Sequence, residues 1–285
     1  KTFYNLTLGL PFEMKGDAPD HVRLFERRED GLKRFAVPPR GLLLTAAADV
    51  QMRGIWYEIT AWAPNGESWT VDAGYCDGET STPDSEAFSL LRQATLDRQF
   101  RDAFDQPRRI DALGVDSGYR SHVVYSWVRA NQRLHPDTGK DTVLALDGRD
   151  GWALPAIGLP KLVDINLEGR KIREGCKLWP IGTWSLKASI YDDLRKEGMK
   201  SGALRDPDGY CHFGLWLDMA YFEQITSEFL ADEKHRGRTR KVWKVRRENH
   251  LLDCRVYNKA LAEYLGLSSM TGDEWAALAR HRGLP

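Results

Sequence analysis

The stretch that decides the fold is LLLTAAADVQMRGIWYEITAW, residues 42–62. Its first part, residues 42–50, is an apolar run typical of a strand buried on both faces of a sheet. After Gly54 the side chains alternate in character, which predicts a second strand directly after the first. The first run nevertheless contains a carboxylate, Asp49, at a place where the neighbouring residues offer no turn chemistry. We therefore treat Asp49 as a candidate functional residue.

The segments that follow predict an α/β fold. A Pro-Asn-Gly turn leads into a third alternating strand over residues 68–75. A helix is predicted over residues 83–104, a strand over 110–115, a helix from Ser121 and a strand over 141–148. This order predicts a mixed sheet, with three antiparallel strands followed by parallel strands, flanked by helices.

The second half of the chain has a less regular pattern. We predict a strand near residues 175–182, helices over 185–197 and 220–230, and a short strand at 210–214 between them. A hairpin is expected around Trp243, then a long helix over 248–265 that stops at Gly266, and a short helix over 274–281. The predicted organisation is an extended arm or linker at 1–40, one domain at 41–268 and a tail at 269–285.

Composition excludes several classes of protein. The chain has 285 residues and a formal net charge of +0, with no apolar run of the roughly 20 residues that a transmembrane helix needs. The N-terminal residues do not show the charged segment followed by an apolar segment that is typical of a signal peptide. We therefore expect a cytoplasmic protein without a membrane partner. The first residue is not Met, which predicts a piece of a longer chain. The four cysteines lack zinc-site spacing and are expected to be buried thiols.

Three aspartates occupy positions where carboxylates are often functional in enzymes. Asp49 and Asp116 follow apolar strands, and Asp253 begins an apolar stripe on the long helix. Strand ends with a helix packed across them can bring three carboxylates together, and divalent hard cations are their usual neutralisers. The pattern predicts a site for two Mg²⁺ or Mn²⁺ ions that hydrolyses phosphodiesters. Taken singly, Asp116 could be an ordinary turn residue, and Asp253 could be an acid that interacts with the helix dipole. If Asp116 is not the second of the three acids, Asp147 is the next candidate for that position.

A basic strip, residues 234–247, holds eight Lys and Arg and no acid. It is a candidate surface for DNA phosphates, although a plain surface hairpin explains it as well. Lys187 could neutralise charge at the site, and His122 could touch a phosphate, but we expect both to be exposed. The candidate DNA-binding residues are Arg238, Arg240, Lys241, Lys244, Arg246, His250 and Arg120.

Several blocks resemble the nuclease half of lambda-type large terminase subunits of tailed bacteriophages. They include residues 42–72, GVDSGYRSHVVYSWVR, GTWSLKASIYDDL and NHLLDCRVYNKALAEYLGL, and the resemblance covers roughly residues 4–268. It implies a ribonuclease H-like domain that cuts concatemeric viral DNA during packaging, in the host cytoplasm. Asp49, Asp116 and Asp253 correspond to its acids.

The resemblance also implies partners and leaves alternatives. The implied partners are double-stranded DNA, the small terminase subunit and the portal. No Walker-type phosphate loop occurs in the chain, so the packaging ATPase is not in this piece. The alternatives are another ribonuclease H-like nuclease, of resolvase or transposase type, and a non-catalytic module that docks on DNA or the portal.

Overall fold

The computed structural model describes residues 18–136, 138–235 and 237–283. The strands are β1 (Ala36–Val37), β2 (Leu43–Gln51), β3 (Gly54–Trp62), β4 (Ser68–Asp77), β5 (Phe100–Asp102), β6 (Pro107–Arg108), β7 (Ala112–Asp116), β8 (Val143–Arg149), β9 (Lys161–Leu167), β10 (Arg170–Gly182), β11 (Cys211–His212), β12 (Glu228–His235) and β13 (Arg238–Val245). The helices are α1 (His21–Glu26), α2 (Glu86–Ala94), α3 (Ser121–Asn131), α4 (Thr183–Arg195), α5 (Met219–Ile225), α6 (His250–Leu265) and α7 (Gly272–His281).

The centre of the fold is an eight-stranded sheet of order β11-β4-β3-β2-β7-β8-β10-β9. Strands β2, β3 and β4 are antiparallel neighbours. Strands β2, β7, β8 and β10 run parallel to one another. The predicted mixed sheet of three antiparallel strands followed by parallel strands is therefore confirmed, and it is compatible with a ribonuclease H-like fold.

Strand β2 is buried on both faces, as its apolar run predicts. Leu44, Ala46 and Ala48 share one core with α2 and α3, represented by Phe88 and Trp127. The alternate residues of β2 face α6, because Thr45 donates a hydrogen bond to Asn258 on that helix at 2.8 Å. Asp49 belongs to this second set, since side chains along a strand alternate between faces.

Two predicted helices are shorter in the structure. The helix predicted over 83–104 ends at Ala94, where the Thr95 hydroxyl donates to the Leu91 carbonyl at 2.6 Å, and the chain continues into β5. The helix predicted over 220–230 ends at Ile225, because Glu228 begins β12 and pairs with Val245. Both errors extend a helix into residues that form a strand. No helix within the described ranges has the length and apolar character to cross a bilayer.

The ends of the described chain pack on the domain. Leu24 on α1 is 2% exposed and Val37 on β1 is 1% exposed, so residues 18–40 contribute to the core. On the other side, Arg282 donates to the Asp111 carboxylate at 2.6 Å just after α7. The proposed boundaries at 40 and 268 stay predictions.

A buried ion pair seats α6 on the sheet. Arg255 donates to the Glu58 carboxylate at 2.8 Å, and the two side chains are 1% and 0% exposed. Tyr221 and Thr70 join the same hydrogen-bonded cluster. Asn258 bonds the Glu58 carbonyl at 3.0 Å as well, so α6 cannot slide along β3 without breaking these contacts.

We predict that Arg255→Met lowers the free energy of unfolding by roughly 3–5 kcal/mol, because it leaves the Glu58 carboxylate buried without its partner. Urea unfolding measures this loss. The double variant Arg255→Met with Glu58→Gln should lose less than the single variant, since no buried charge then stands alone. A single-variant loss below about 1 kcal/mol would contradict this account of how α6 is held.

Candidate active site

Asp49 lies near the end of β2, with only 5% of its surface exposed. The Gln51 amide donates to both of its carboxylate oxygens, at 2.9 and 3.0 Å. The His250 Nδ1 lies 2.7 Å from Oδ2, and this hydrogen bond raises the pKa of the imidazole. The ring also stacks on Trp56, with centroids 5.9 Å apart. The structure thus places His250, a candidate DNA-binding residue, against the first acid.

Asp116 ends β7, the parallel neighbour of β2. The Tyr257 hydroxyl on α6 donates to its Oδ1 at 2.9 Å, and the Gly118 amide donates to Oδ2 at 3.3 Å. Burial raises the pKa of Asp116 to about 6, and the charge of Asp49 adds to the effect. The two acids therefore lie within electrostatic reach of each other.

Asp253 lies in the first turn of α6. Burial raises its pKa to about 7, while the ammonium of Lys187, 3.5 Å from Oδ1, opposes the rise. The charges of Glu228, Asp49 and Asp116 all push the pKa further up. The structure thus brings the three predicted acids together around one end of β2, although their role as metal ligands stays a prediction.

The sequence interpretation missed the polar group behind Asp253. The Lys187 ammonium lies 2.6 Å from the Glu228 carboxylate, and Lys187 is 8% exposed. The Asn249 amide donates to Glu228 and to Asp253, at 2.9 Å in both cases. The expectation of an exposed Lys187 was wrong, because α4 packs against α6 and β12 supplies a carboxylate beside it. Glu228 itself was hidden by the overlong predicted helix.

Within the described ranges, the group whose ligand atoms all lie within 4.8 Å of one another is Glu67, Asp206 and His212, and the three aspartates do not form such a group. A site for two ions therefore stays a prediction. Hard oxygen donors whose pKa is raised by burial and by mutual charge fit Mg²⁺ or Mn²⁺ chemically.

The two other clusters of acids have structural partners. His212 bonds Glu29 through Nδ1 at 2.8 Å and Glu67 through Nε2 at 2.9 Å, so both ring nitrogens are already used. Asp147, the alternative middle acid, accepts two hydrogen bonds from Arg149, at 2.7 and 2.9 Å. Asp116 stays the predicted middle acid.

Most of the basic strip forms β13, and its first two residues end β12, so the two strands of one hairpin share it. Acids on β12 lie opposite cations on β13. Arg240 pairs with Glu233 on β12 at 2.6 Å. Lys241 lies 3.6 Å from Asp232, and Lys244 lies 3.7 Å from Glu233. The strip is thus partly neutralised across the hairpin. The end of the hairpin away from its turn lies next to the three aspartates, because Glu228 pairs with Val245 at that end.

The remaining DNA-binding candidates are scattered. The Arg246 guanidinium lies 4.9 Å from the centre of the Phe229 ring. Arg120 is exposed at the start of α3 with a φ of 51°, and its guanidinium lies over Tyr119. The exposed His122 accepts a hydrogen bond from the Asn166 amide at 3.3 Å. The side chain of Arg238 lies outside the described part of the chain.

Comparison with known proteins now identifies the family. A family profile described as "Terminase large subunit gpA, endonuclease domain" matches residues 1–275. The chain belongs to this family. It is similar to the terminase large subunit of Enterobacteria phage P21, with 28% identity over 267 residues that cover 90% of this chain. No solved structure matches the chain.

The resemblance inferred from the sequence is therefore confirmed, and this terminase nuclease domain belongs to a family of packaging-related nucleases. The aligned part covers 38% of the phage P21 protein, so the chain spans about two fifths of that relative.

We predict that Asp253→Asn stabilises the chelator-treated protein at pH 8 by roughly 1–3 kcal/mol. The pKa of Asp253 is raised from 3.8 to about 7, so its stabilising contribution is complete below the unfolded pKa and is lost as the pH rises through about 7. Each pKa unit is worth about 1.4 kcal/mol, and we discount the total because the side chain is 27% exposed.

The measurement is urea unfolding at pH 4, 5.5 and 8 with chelator present. The advantage of the Asn variant should grow from pH 4 to pH 7 and then level off. Asp147→Asn is the matched control and should show no such gain, because Arg149 already neutralises that carboxylate. Destabilisation by Asp253→Asn at pH 8 would show that Lys187 and Asn249 outweigh the repulsion.

Proposed function

We propose that this chain is a divalent-metal-dependent DNA endonuclease that cuts concatemeric viral DNA during genome packaging. The observation that supports it is the meeting of Asp49, Asp116 and Asp253, from two parallel strands and one helix, with each carboxylate inside the field of the others. A divalent cation would relieve the repulsion that Lys187 leaves in this cluster. The family supports the terminase assignment over a resolvase or transposase.

The chain's own residues would hold and orient the cations. Asp49, Asp116 and Asp253 are the proposed ligands, and Gln51 and Tyr257 donate hydrogen bonds that fix two of them. Bound Mg²⁺ or Mn²⁺ would supply activation of water and stabilisation of the leaving oxygen. Residues that orient metal ligands commonly change metal affinity when they are removed.

The substrate and partners follow from the family and from the charge pattern. We propose double-stranded DNA as the substrate, with phosphates contacting β13 and, near the acids, His250 and Arg120. We further propose the small terminase subunit and the portal as assembly partners, with the protein working in the host cytoplasm. The ion pairs of Lys241 and Lys244 are exposed and long, so each is worth at most about 1 kcal/mol and can exchange for a phosphate.

We predict that Asp49→Asn and Asp116→Asn each lower plasmid cleavage by roughly 100-fold or more, because loss of even a ligand-orienting residue can cost 10- to 100-fold. Mn²⁺ should raise the melting temperature of the unaltered protein, since it binds only the folded arrangement. Both variants should lose most of that rise.

Asp147→Asn is the control, and it should keep both cleavage and the Mn²⁺ effect. Cleavage that resists a chelator, or that survives in both aspartate variants, would refute the metal mechanism.

We predict that Lys241→Gln with Lys244→Gln weakens binding to duplex DNA for all sequences alike. The slope of log affinity against log salt should fall by about 1.8, since each lost phosphate contact removes about 0.9. The control is Lys200→Gln with Arg205→Gln, which changes two exposed cations elsewhere. Fluorescence anisotropy with chelator measures the slope, and an unchanged slope would leave β13 as a structural hairpin.

A further inference from the structure

A groove of about 820 Å³ lies beside the acid site and has no part in the proposed hydrolysis. We call it the tryptophan groove. Its walls are β13, the start of α4 and the segment after β8, and its lining includes Asp150, Trp152, Trp184, Arg240, Lys241 and Lys244. The lining combines three tryptophans with three cations, and it also contains the acids Asp150 and Glu233.

Trp152 is held in place with much of its ring exposed. Its Nε1 donates to the Lys241 carbonyl at 3.0 Å, and its own carbonyl accepts from the Ser185 hydroxyl at 3.1 Å. The ring meets Trp184 edge to face, with centroids 5.5 Å apart. Even so, Trp152 is 44% exposed. A fixed and exposed indole offers a flat apolar face at little cost in side-chain entropy.

Helix α4 contributes residues both to the groove and to the acid site. Trp184 lines the groove, and Lys187, one turn later, contacts Glu228 and Asp253. The Trp184 carbonyl also accepts from Trp243 Nε1 on β13, at 3.3 Å. One helix, α4, therefore contributes Trp184 to the groove and Lys187 to the acid site.

We propose that the tryptophan groove binds an unpaired segment of the DNA strand beside the cut, with a base stacked on Trp152 and phosphates on Lys241 and Lys244. In a duplex the flat faces of the bases are covered by their neighbours, so an indole face can be used only by a base that is unstacked. The two lysines carry the complementary charge, and their weak ion pairs yield to phosphates. This inference rests on the proposed function only in taking DNA as the substrate.

The test is anisotropy of the full chain with labelled DNA, in chelator so that nothing is cut. The probes are an oligothymidylate of about 16 nucleotides and a blunt duplex of the same length. Trp152→Ala should weaken binding of the oligothymidylate about 5- to 100-fold, the range for losing one base stack, and change duplex binding less than about 2-fold. Trp152→Phe should recover most of the loss because it keeps an aromatic face.

Phe104→Ala is the matched control, since Phe104 is an aromatic residue with 47% exposure between β5 and β6, and it should bind both probes normally. Unchanged oligothymidylate binding in Trp152→Ala would overturn the proposal. Equal losses for both probes, or equal losses in the Ala and Phe variants, would overturn it too. If Trp152→Ala lowers only oligothymidylate binding while Asp49→Asn leaves plasmid cleavage intact, the groove is upheld and the metal mechanism fails.

Discussion

The buried pair of Arg255 and Glu58 is the constraint on which the site depends. A buried charge without its partner costs several kcal/mol, so the pair admits only one position of α6 along β3. Asn258 adds contacts to Thr45 and to the Glu58 carbonyl, which fix the depth of the helix on the sheet. Asp253 lies two residues before Arg255 on the same helix. Its position opposite the end of β2 is therefore set by contacts in the core, away from the acids themselves.

Rigid placement explains how the fold tolerates carboxylates that repel one another. Asp49, Asp116 and Asp253 each accept a hydrogen bond from a neutral side chain, from Gln51, Tyr257 and Asn249 in that order. These donors orient the oxygens but remove no charge, and the pKa values of Asp116 and Asp253 stay raised. The Lys187 ammonium near Asp253 and the packing of α6 on the sheet offset part of the remaining repulsion. A divalent cation at the proposed site would relieve the rest.

The sequence predicted features that depend on local pattern and missed those that depend on distant pairing. The apolar run of β2 made Asp49 conspicuous, but the helical stripe that begins at Asp253 gave only part of the buried surface of α6, since Arg255 and Asn258 lie off it and are buried as well. Glu228 was missed because its partners Lys187 and Asn249 are 41 and 21 residues away. The acids of β12 that face the basic strip were missed for another reason. The predicted hairpin was centred on Trp243, whereas the strands that pair are 228–235 and 238–245.

Glu228 links the two halves of the proposed machinery. It is the first residue of β12, so it belongs to the hairpin that carries the cations, and it contacts both Lys187 and Asn249. If a divalent cation takes Asp253, the Lys187 ammonium keeps Glu228 as its partner, and no buried charge is left alone. DNA binding would act on Asp253 through the same contacts. A hairpin that shifts when it binds DNA would move Glu228 relative to Lys187 and Asn249, which both contact Asp253. Binding free energies coupled through shared contacts are reciprocal, so whatever DNA does to the affinity for metal, metal does equally to the affinity for DNA.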